Sequence, residues 1–523
     1  MSARPIADIV ATLATAMVVA SCAVGPDFVT PDPPEADRYT KGRMATRTES
    51  ADVAHGQAQR FRRNLDVPGE WWRLFRSPPL NALIERSIKA NPTLDAAVAA
   101  LRAAGENVHA QEGKWFPLVQ GNFTASRQKT SAALAPVPSS NASVFSLYTA
   151  QVIVSYTFDV WGLNYRTVES LEAQAEFQRF QLEAAYLTLT SNVVTAAIQE
   201  ASLRAQIAAT HSLIEIVTKE LDILRRQLEL GQANRIDVAQ QEALLAQARA
   251  ALPPLEKALA QQRDLLAALS GRFPSEEPPE KFQLSMLHLP RDLPVTVPSI
   301  LVDQRPDVRA SEEQMHSASA QVGVAVANIL PQFTITPSTS AGFISTQLAS
   351  LFNPQNFFSN LTGSVTHTIF DGLTLLHLKR AAEDNFDQAS ANYRTTVIAA
   401  LQNVADVLHA LESDAKALKA AVEWEHAAKV SLDLTRQQMQ TGFANFLSLL
   451  IAEQAYQQAV INLVQARAAR LTGTVALFAA LGGGWWNRDD VARPLPMTPC
   501  EIEAISKSKS GLKRPLCENG GRP

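Results

Sequence analysis

Three cysteines in 523 residues are too few for a disulfide scaffold, and no Cys/His cluster has metal-ligand spacing. Basic residues do not outnumber acidic ones: net charge is −4 and the pI is near 6.2. That balance excludes the electrostatic footprint of nucleic-acid binding. The nine histidines are scattered, mostly along helical stretches, and read as surface or packing residues. Beyond the N-terminal segment there is no apolar run of the ~18 residues that a spanning helix needs. A crossing of a bilayer would therefore have to use β-strands closed into a barrel. Enzyme signatures are missing as well: there is no nucleophile elbow, zinc motif or Gly-rich nucleotide loop. Gly482-Gly483-Gly484 lacks the strand–turn–helix setting of a phosphate loop and reads as a chain break.

What the chain does contain is a duplication. Asn91-Pro92 precedes Phe116-Pro117 by the same interval as Arg305-Pro306 precedes Leu330-Pro331. Phe158-Asp159 recurs as Phe370-Asp371, and Gly231-Gln232-Ala233-Asn234 recurs as Gly442-Phe443-Ala444-Asn445, with Glu242 and Glu453 equally far beyond each glycine. The offsets are 214, 212 and 211, so two elongated units share one layout, which suggests a symmetric assembly rather than a single cleft.

Within each unit the hydrophobic period changes along the chain. Leu80, Leu83, Ile84 and Ile88 have helical spacing, and Pro92 is placed to open a second helix. Residues 118–130 and 144–160 change character. In the second stretch Val152, Val154, Tyr156 and Phe158 alternate with Ile153, Ser155 and Thr157, the period of a strand with one apolar face. The Ala-, Pro- and Ser-rich stretch 132–143 reads as an exposed loop. Strands are expected again at about 332–343 and 357–370. Four strands are too few to close a barrel, whereas four from each of three protomers would close one of twelve. From Asn164 to about Leu230 the pattern is helical, on the order of 100 Å of rod. After the turn, Leu245, Leu252, Leu259 and Leu266 keep a strict heptad, and Tyr456, Leu463, Arg470 and Leu477 take the matching places in the second copy. Pro253-Pro254 is expected to interrupt and bend the first return helix.

The N-terminus reads as an address. Arg4 precedes an apolar stretch at 9–20 that ends in Val19-Ala20-Ser21-Cys22. This resembles a bacterial lipoprotein signal, cleaved before a cysteine whose thiol is then lipidated; the alternative is an ordinary secretory signal with Cys22 incidental. Ala23, rather than Asp, follows the cysteine, which in this signal class goes with outer-membrane delivery. The resulting layout is a signal peptide (1–21), a lipidated tether and outer wrapping (22–77), a first repeat (78–270), a Pro-rich linker (271–297), a second repeat (298–484) and a C-terminal tail (485–523).

Glu70-Trp71-Trp72-Arg73-Leu74-Phe75, then Pro79-Leu80-Asn81, then Asn91-Pro92 resembles the opening of TolC-like outer-membrane efflux factors of the NodT/OprM type. Gln304-Arg305-Pro306-Asp307-Val308-Arg309-Ala310 and Ala480-Leu481-Gly482-Gly483-Gly484-Trp485 resemble the start and end of that family's second repeat, so the similarity covers roughly residues 19–486. The resemblance implies a mainly α fold with a membrane β-barrel: a homotrimer whose twelve-stranded barrel sits in the outer membrane above a twelve-helix periplasmic tunnel with a mixed equatorial belt. It implies a passive conduit for small toxic compounds or drugs, partnered by a periplasmic adaptor (a membrane fusion protein) and an inner-membrane pump of the resistance-nodulation-division class. No cofactor is expected beyond the lipid on Cys22, no metal, and no nucleic acid. The rival readings are the duct of a type I protein secretion system and, from another class, a periplasmic adaptor.

The resemblance assigns the two turns, Leu230, Gly231, Gln232 and Ala233 with Thr441, Gly442, Phe443 and Ala444, to the periplasmic tip that meets the adaptor; on physical grounds they are also simply helix reversals. It assigns Leu447, Ser448, Leu450 and Ile451 to the pore constriction. Many members carry Asp where this chain has Ser448 and Ile451, so an acidic ring does not transfer. An apolar closure by Leu447 and Leu450 is one reading and coiled-coil packing is the other. In the first copy Asp237 keeps the acid, and Arg235 is a candidate to pair with it in a tip salt bridge. Trp71 and Trp72 are expected to pack the belt. Cys500 and Cys517 are the candidate disulfide in an oxidising periplasm.

Overall fold

The computed structural model describes residues 23–36, 38–42, 45–63, 65–129, 144–336, 341–359, 362–441 and 443–491. Cys22, Gly442, Cys500 and Cys517, together with the expected signal, the loop at 132–143 and most of the tail, lie outside the described residues.

An extended N-terminal strap leads to β1 (Arg60–Arg63). Prolines at the first turns open α1 (Pro78–Ala90) and α2 (Pro92–Glu112), where their missing N–H is not needed. The Asn91 side chain caps α2 by accepting from the Thr93 N–H. Then come β2 (Leu118–Lys129) and β3 (Val144–Phe158), and the Asp159 carboxylate accepts from the Asn164 and Tyr165 N–H groups at 3.0 and 2.9 Å to start α3 (Leu163–Glu229). The chain returns along α4 (Arg235–Leu269) and passes through β4 (Asp292–Val295). The layout then repeats: α5 (Pro298–Gln304), α6 (Pro306–Ile329), β5 (Gln332–Thr336), β6 (Ala341–Ser345), β7 (Phe357–Phe358), β8 (Thr362–Thr366), α7 (Thr374–Gln440) and α8 (Phe446–Ala480). Asp371 repeats the start signal, accepting from the Leu375 N–H at 2.8 Å. Both outgoing helices have 67 residues and both return helices 35, so the two hairpins match in length. At 1.5 Å per residue the long helices are ~100 Å rods.

The return helix α4 runs unbroken through Pro253 and Pro254, so the expected interruption does not occur. No helix among the described residues is long and apolar enough to cross a membrane.

Strands β2, β3 and β5 to β8 form one antiparallel sheet, separate from the β1–β4 pair. β2 pairs with β3 along its whole length, from Leu118 opposite Ser155 to Lys129 opposite Val144. On the far side of β3 lie β5 and β6, and β8 and β7 lie beyond those. The described parts of the third and fourth expected strands, 332–336 with 341–345 and 357–358 with 362–366, pair with their neighbours in registers that shift between the two parts. Among the described residues neither β2 nor the stretch 363–366 has a strand on its outer side.

Midway down the rods sits the main core. Trp71, Trp72, Phe75, Leu80, Leu83 and Ile84 pack against Ile198, Leu477 and Phe478, and Trp71 stacks on Phe478 with ring centroids 5.4 Å apart. The stretch expected to be a linker belongs to this core: Phe282, Leu284, Leu287 and Leu289 are buried in it, and β4 pairs in parallel with β1. Its prolines had masked alternating apolar residues that cover the rods from outside.

Candidate functional site

The two helix reversals stand side by side at the end of the molecule opposite the sheet. At the first, Gly231 adopts φ +73°, the left-handed conformation that a side chain disfavours, and lets Gln232 N–H reach Gln227 O (2.8 Å) and Gly231 N–H reach Leu228 O (3.0 Å). These are the two bonds of a Schellman C-cap. Asn234 then begins α4 through a capping box: Asp237 N–H donates to Asn234 Oδ1 at 2.9 Å, and Asn234 N–H to Asp237 Oδ2 at 3.4 Å. Asp237 is thus turned toward the helix start and not onto Arg235, so the expected salt bridge does not form: a carboxylate at the third helical position reaches its own cap more easily than a side chain two residues back. The described residues of the second reversal repeat two of these bonds. Phe443 N–H donates to Gln438 O (2.9 Å), and Asn445 Oδ1 accepts from both Ser448 N–H (2.9 Å) and Ser448 Oγ–H (2.7 Å).

Leu230, Gly231, Gln232, Thr441 and Phe443 are exposed, Phe443 at 88%, while Ala233 and Ala444 are half-buried. The four residues assigned to a constriction separate. Leu447 and Ile451, one helical turn apart, are 47% and 58% exposed, with Ser448 exposed beside them. Leu450 points elsewhere and packs against the cluster of Leu213, Val217, Leu221, Leu244 and Leu245 on the first hairpin. Three residues from Leu447 it is a near neighbour on the helix surface, but it lies on the edge of that face that the first hairpin covers, and so it packs into the coiled coil.

Above the tips, four helices meet at a polar node that sequence reasoning did not foresee. Arg436 on α7 donates from Nη2 to Glu453 Oε1 on α8 (3.0 Å) and to Glu220 Oε1 on α3 (3.2 Å). Gln241 on α4 donates from Nε2 to Glu220 Oε2 (3.2 Å). Glu453 is only 2% exposed, and burial together with the adjacent Glu220 pushes its carboxyl up to about 8 against the opposing pull of Arg436. Leu224, Leu432, Phe446, Leu449 and Ala452 form an apolar cluster that joins the same two hairpins. The duplication shows Glu242 and Glu453 equally far past each turn; it does not show that only the second is buried.

At the opposite end, the strap docks where strands become helices. Val24 N–H donates to Trp161 O (3.1 Å), and Gly25 lies so close to Gly323 that a Cβ on the former would fall 2.4 Å from the latter's Cα. Arg166, buried, holds the strap through Val24 O (3.1 Å) and Asp27 (2.6 Å). Trp115, Phe116, Tyr165 and Phe370 are exposed at these same strand–helix corners.

Residues 83–272 and 297–483 match the family model of the outer membrane efflux protein, one segment in each repeat. The chain belongs to the outer membrane efflux protein family. TtgC of Pseudomonas putida, a probable efflux pump outer membrane protein, is 26% identical over 476 residues, covering 91% of this chain and 95% of TtgC. OpmQ of Pseudomonas aeruginosa, a pyoverdine export outer membrane protein, is 29% identical over 438 residues, covering 81% and 89%. The solved structure of the outer-membrane channel OprN superposes with a TM-score of 0.78 at 25% identity, over 89% of this chain and 100% of OprN. The protein is an outer-membrane component of an efflux system, and the adaptor reading falls.

Proposed function

We propose that three copies of this chain form a passive export duct, with twelve strands closed into an outer-membrane barrel over a tunnel of long helical hairpins. The observation that carries this reading is the sheet with open outer sides on β2 and on residues 363–366. Unpaired strand edges in hydrocarbon are prohibitively costly, and joining β2 of one copy to the last strand of the next removes them all. The strands β2 and β3, at 12 and 15 residues, exceed the ~9–11 that a tilted membrane strand needs. The exposed aromatics at the strand–helix corners suit the inner interface of the membrane. Val24, two residues after Cys22, is bonded at those corners, where a thioether-linked lipid on Cys22 would enter the adjacent leaflet.

In this duct the exposed turns meet a periplasmic adaptor, and energy comes from an inner-membrane pump of the resistance-nodulation-division class. The substrates are small toxic compounds, the class suggested by a relative described as an antibiotic efflux pump outer membrane protein and another as a toluene efflux pump outer membrane protein. Leu447 and Ile451 line the narrow end, where an apolar ring shuts the passage by expelling water.

Purified full-length protein in mild detergent should have the mass of a trimer and should conduct in planar bilayers. Leu447→Ser should raise the closed-state leak several-fold, while Leu450→Ser should loosen the hairpins instead. A detergent monomer with no conductance overturns the duct; an unchanged leak in Leu447→Ser removes the gate. Deleting the gene should sensitise cells to several unrelated toxic compounds.

A further inference from the structure

The polar node above the tips has one cation for two carboxylates. Glu453 Oε1 is satisfied by Arg436, but Oε2 is buried without a hydrogen-bond donor, and Glu220 lies beside it. Gln241 is fully buried and supplies Glu220 with a single further donor. With both acids ionised, the node would carry an uncompensated negative charge against an apolar wall of Leu224, Leu432, Phe446 and Leu449. One proton between the two carboxyls removes that charge and completes the hydrogen bonding.

The duplication provides an internal control. Arg225 and Glu242 occupy the same places in the first hairpin as Arg436 and Glu453 in the second, with the same separation of 17 residues. There the ion pair, at 2.8 Å, is half exposed on both sides and meets no second acid. Only in the second hairpin does docking against α3 bury the glutamate and bring Glu220 onto it.

We propose that Glu220 and Glu453 share one proton, and that this proton, held against Arg436, is the latch that keeps the two hairpins docked above the tips. The groups facing Glu453 are Glu220 from α3, Gln241 from α4 and Arg436 from α7; Tyr456, one turn further along α8, faces Glu425 and Asp433 of α7. Separation of the hairpins returns Glu453 to water, where its carboxyl titrates near ~4.3. The docked form therefore binds more protons than the parted form between that value and about 8. Docking is strongest in acid and weakens as pH rises through this window, by at most about tenfold per pH unit. The latch does not depend on the duct reading; the consequence that alkali loosens the tip of a conducting channel does.

Hydrogen exchange on the full-length protein in detergent, at pH 6 and pH 8.5 and corrected for intrinsic exchange, reads the latch directly. Protection of residues 217–224 and 446–456 should fall about tenfold or more at the higher pH. Glu453→Gln, which keeps the shape of a neutral acid, should hold both segments within about twofold across that range, and Glu220→Gln should shrink the pH dependence without abolishing it, since burial of Glu453 remains. Glu242→Gln, at the exposed equivalent, should leave the pH dependence in place. Flat protection in the unmodified protein, or pH dependence that survives Glu453→Gln, overturns the latch. If exchange follows these expectations while no bilayer current is found, the latch stands and the duct reading fails.

Discussion

Arg166 and Asp27 are 139 positions apart in sequence, yet the guanidinium of one lies 2.6 Å from the carboxylate of the other. Arg166 is buried and Asp27 almost fully exposed, so the contact is a pin driven from the body into the strap. Replacing Arg166 with Met removes this bond and the one to Val24 O. The strap should then detach locally, with loss of ~1–3 kcal/mol of local stability. Limited proteolysis of the intact protein should show faster cleavage between residues 24 and 32, with the helical body still resistant.

His316 on α6 lies between Glu313 Oε2 (3.2 Å) and Glu169 Oε1 on α3 (3.3 Å), with Phe28 of the strap stacked on its ring at 4.3 Å. The Glu313 hydrogen bond, aided by Glu169 and opposed by burial, raises its pKa. A raised histidine contributes stability that is complete below its ordinary value near ~6.5 and is lost as pH rises through the raised value. Contact between α3 and α6 should therefore weaken from pH 6 to pH 8. Thermal midpoints of His316→Ala at matched scan rates should lack that slope; a slope equal to the parent's would refute the assignment.

Arg488 places Nη1 2.9 Å from Glu183 Oε2, with both side chains buried, and its guanidinium lies 3.4 Å over the Tyr186 ring. Burial raises the Glu183 carboxyl even with Arg488 beside it. Arg488→Met leaves a buried acid without its cation, at a cost of ~3–5 kcal/mol at pH 8. Since protonating Glu183 removes the unpaired buried charge, the deficit should shrink as pH falls toward 5. Chemical denaturation at the two pH values measures the difference.

Asn234 and Asn445 each cap a return helix through the same side-chain oxygen. Alanine at either should cost about 1 kcal/mol and speed amide exchange over the first turn of α4 or α8 alone. Protein with both changes should keep its strands and long helices unaltered in circular dichroism.

The rods and turns were readable in the sequence because their signals are local. Proline at a helix start, asparagine after a glycine, and leucine every seven residues each specify backbone within a few positions. The belt was not readable as such: Phe282, Leu284, Leu287 and Leu289 sit among prolines, and their partners Trp71 and Phe478 are some two hundred residues away in either direction. The latch was hidden for a related reason. An Arg and a Glu seventeen residues apart look alike in both repeats, and only tertiary docking makes one pair exposed and the other buried. Leu450 packs into the coiled coil because docking of the first hairpin covers it, which its helical spacing from Leu447 does not reveal.

The open sides of the sheet carry a genetic consequence. In the proposed ring of three, every subunit would supply one of the three seams, so one copy with a damaged β2 would leave the whole ring unsealed. A cell making equal amounts of sound and damaged chains would assemble only roughly one intact ring in eight if subunits mix at random. Alleles that break the outer side of β2 should thus behave as dominant, while alleles that abolish the chain should be recessive.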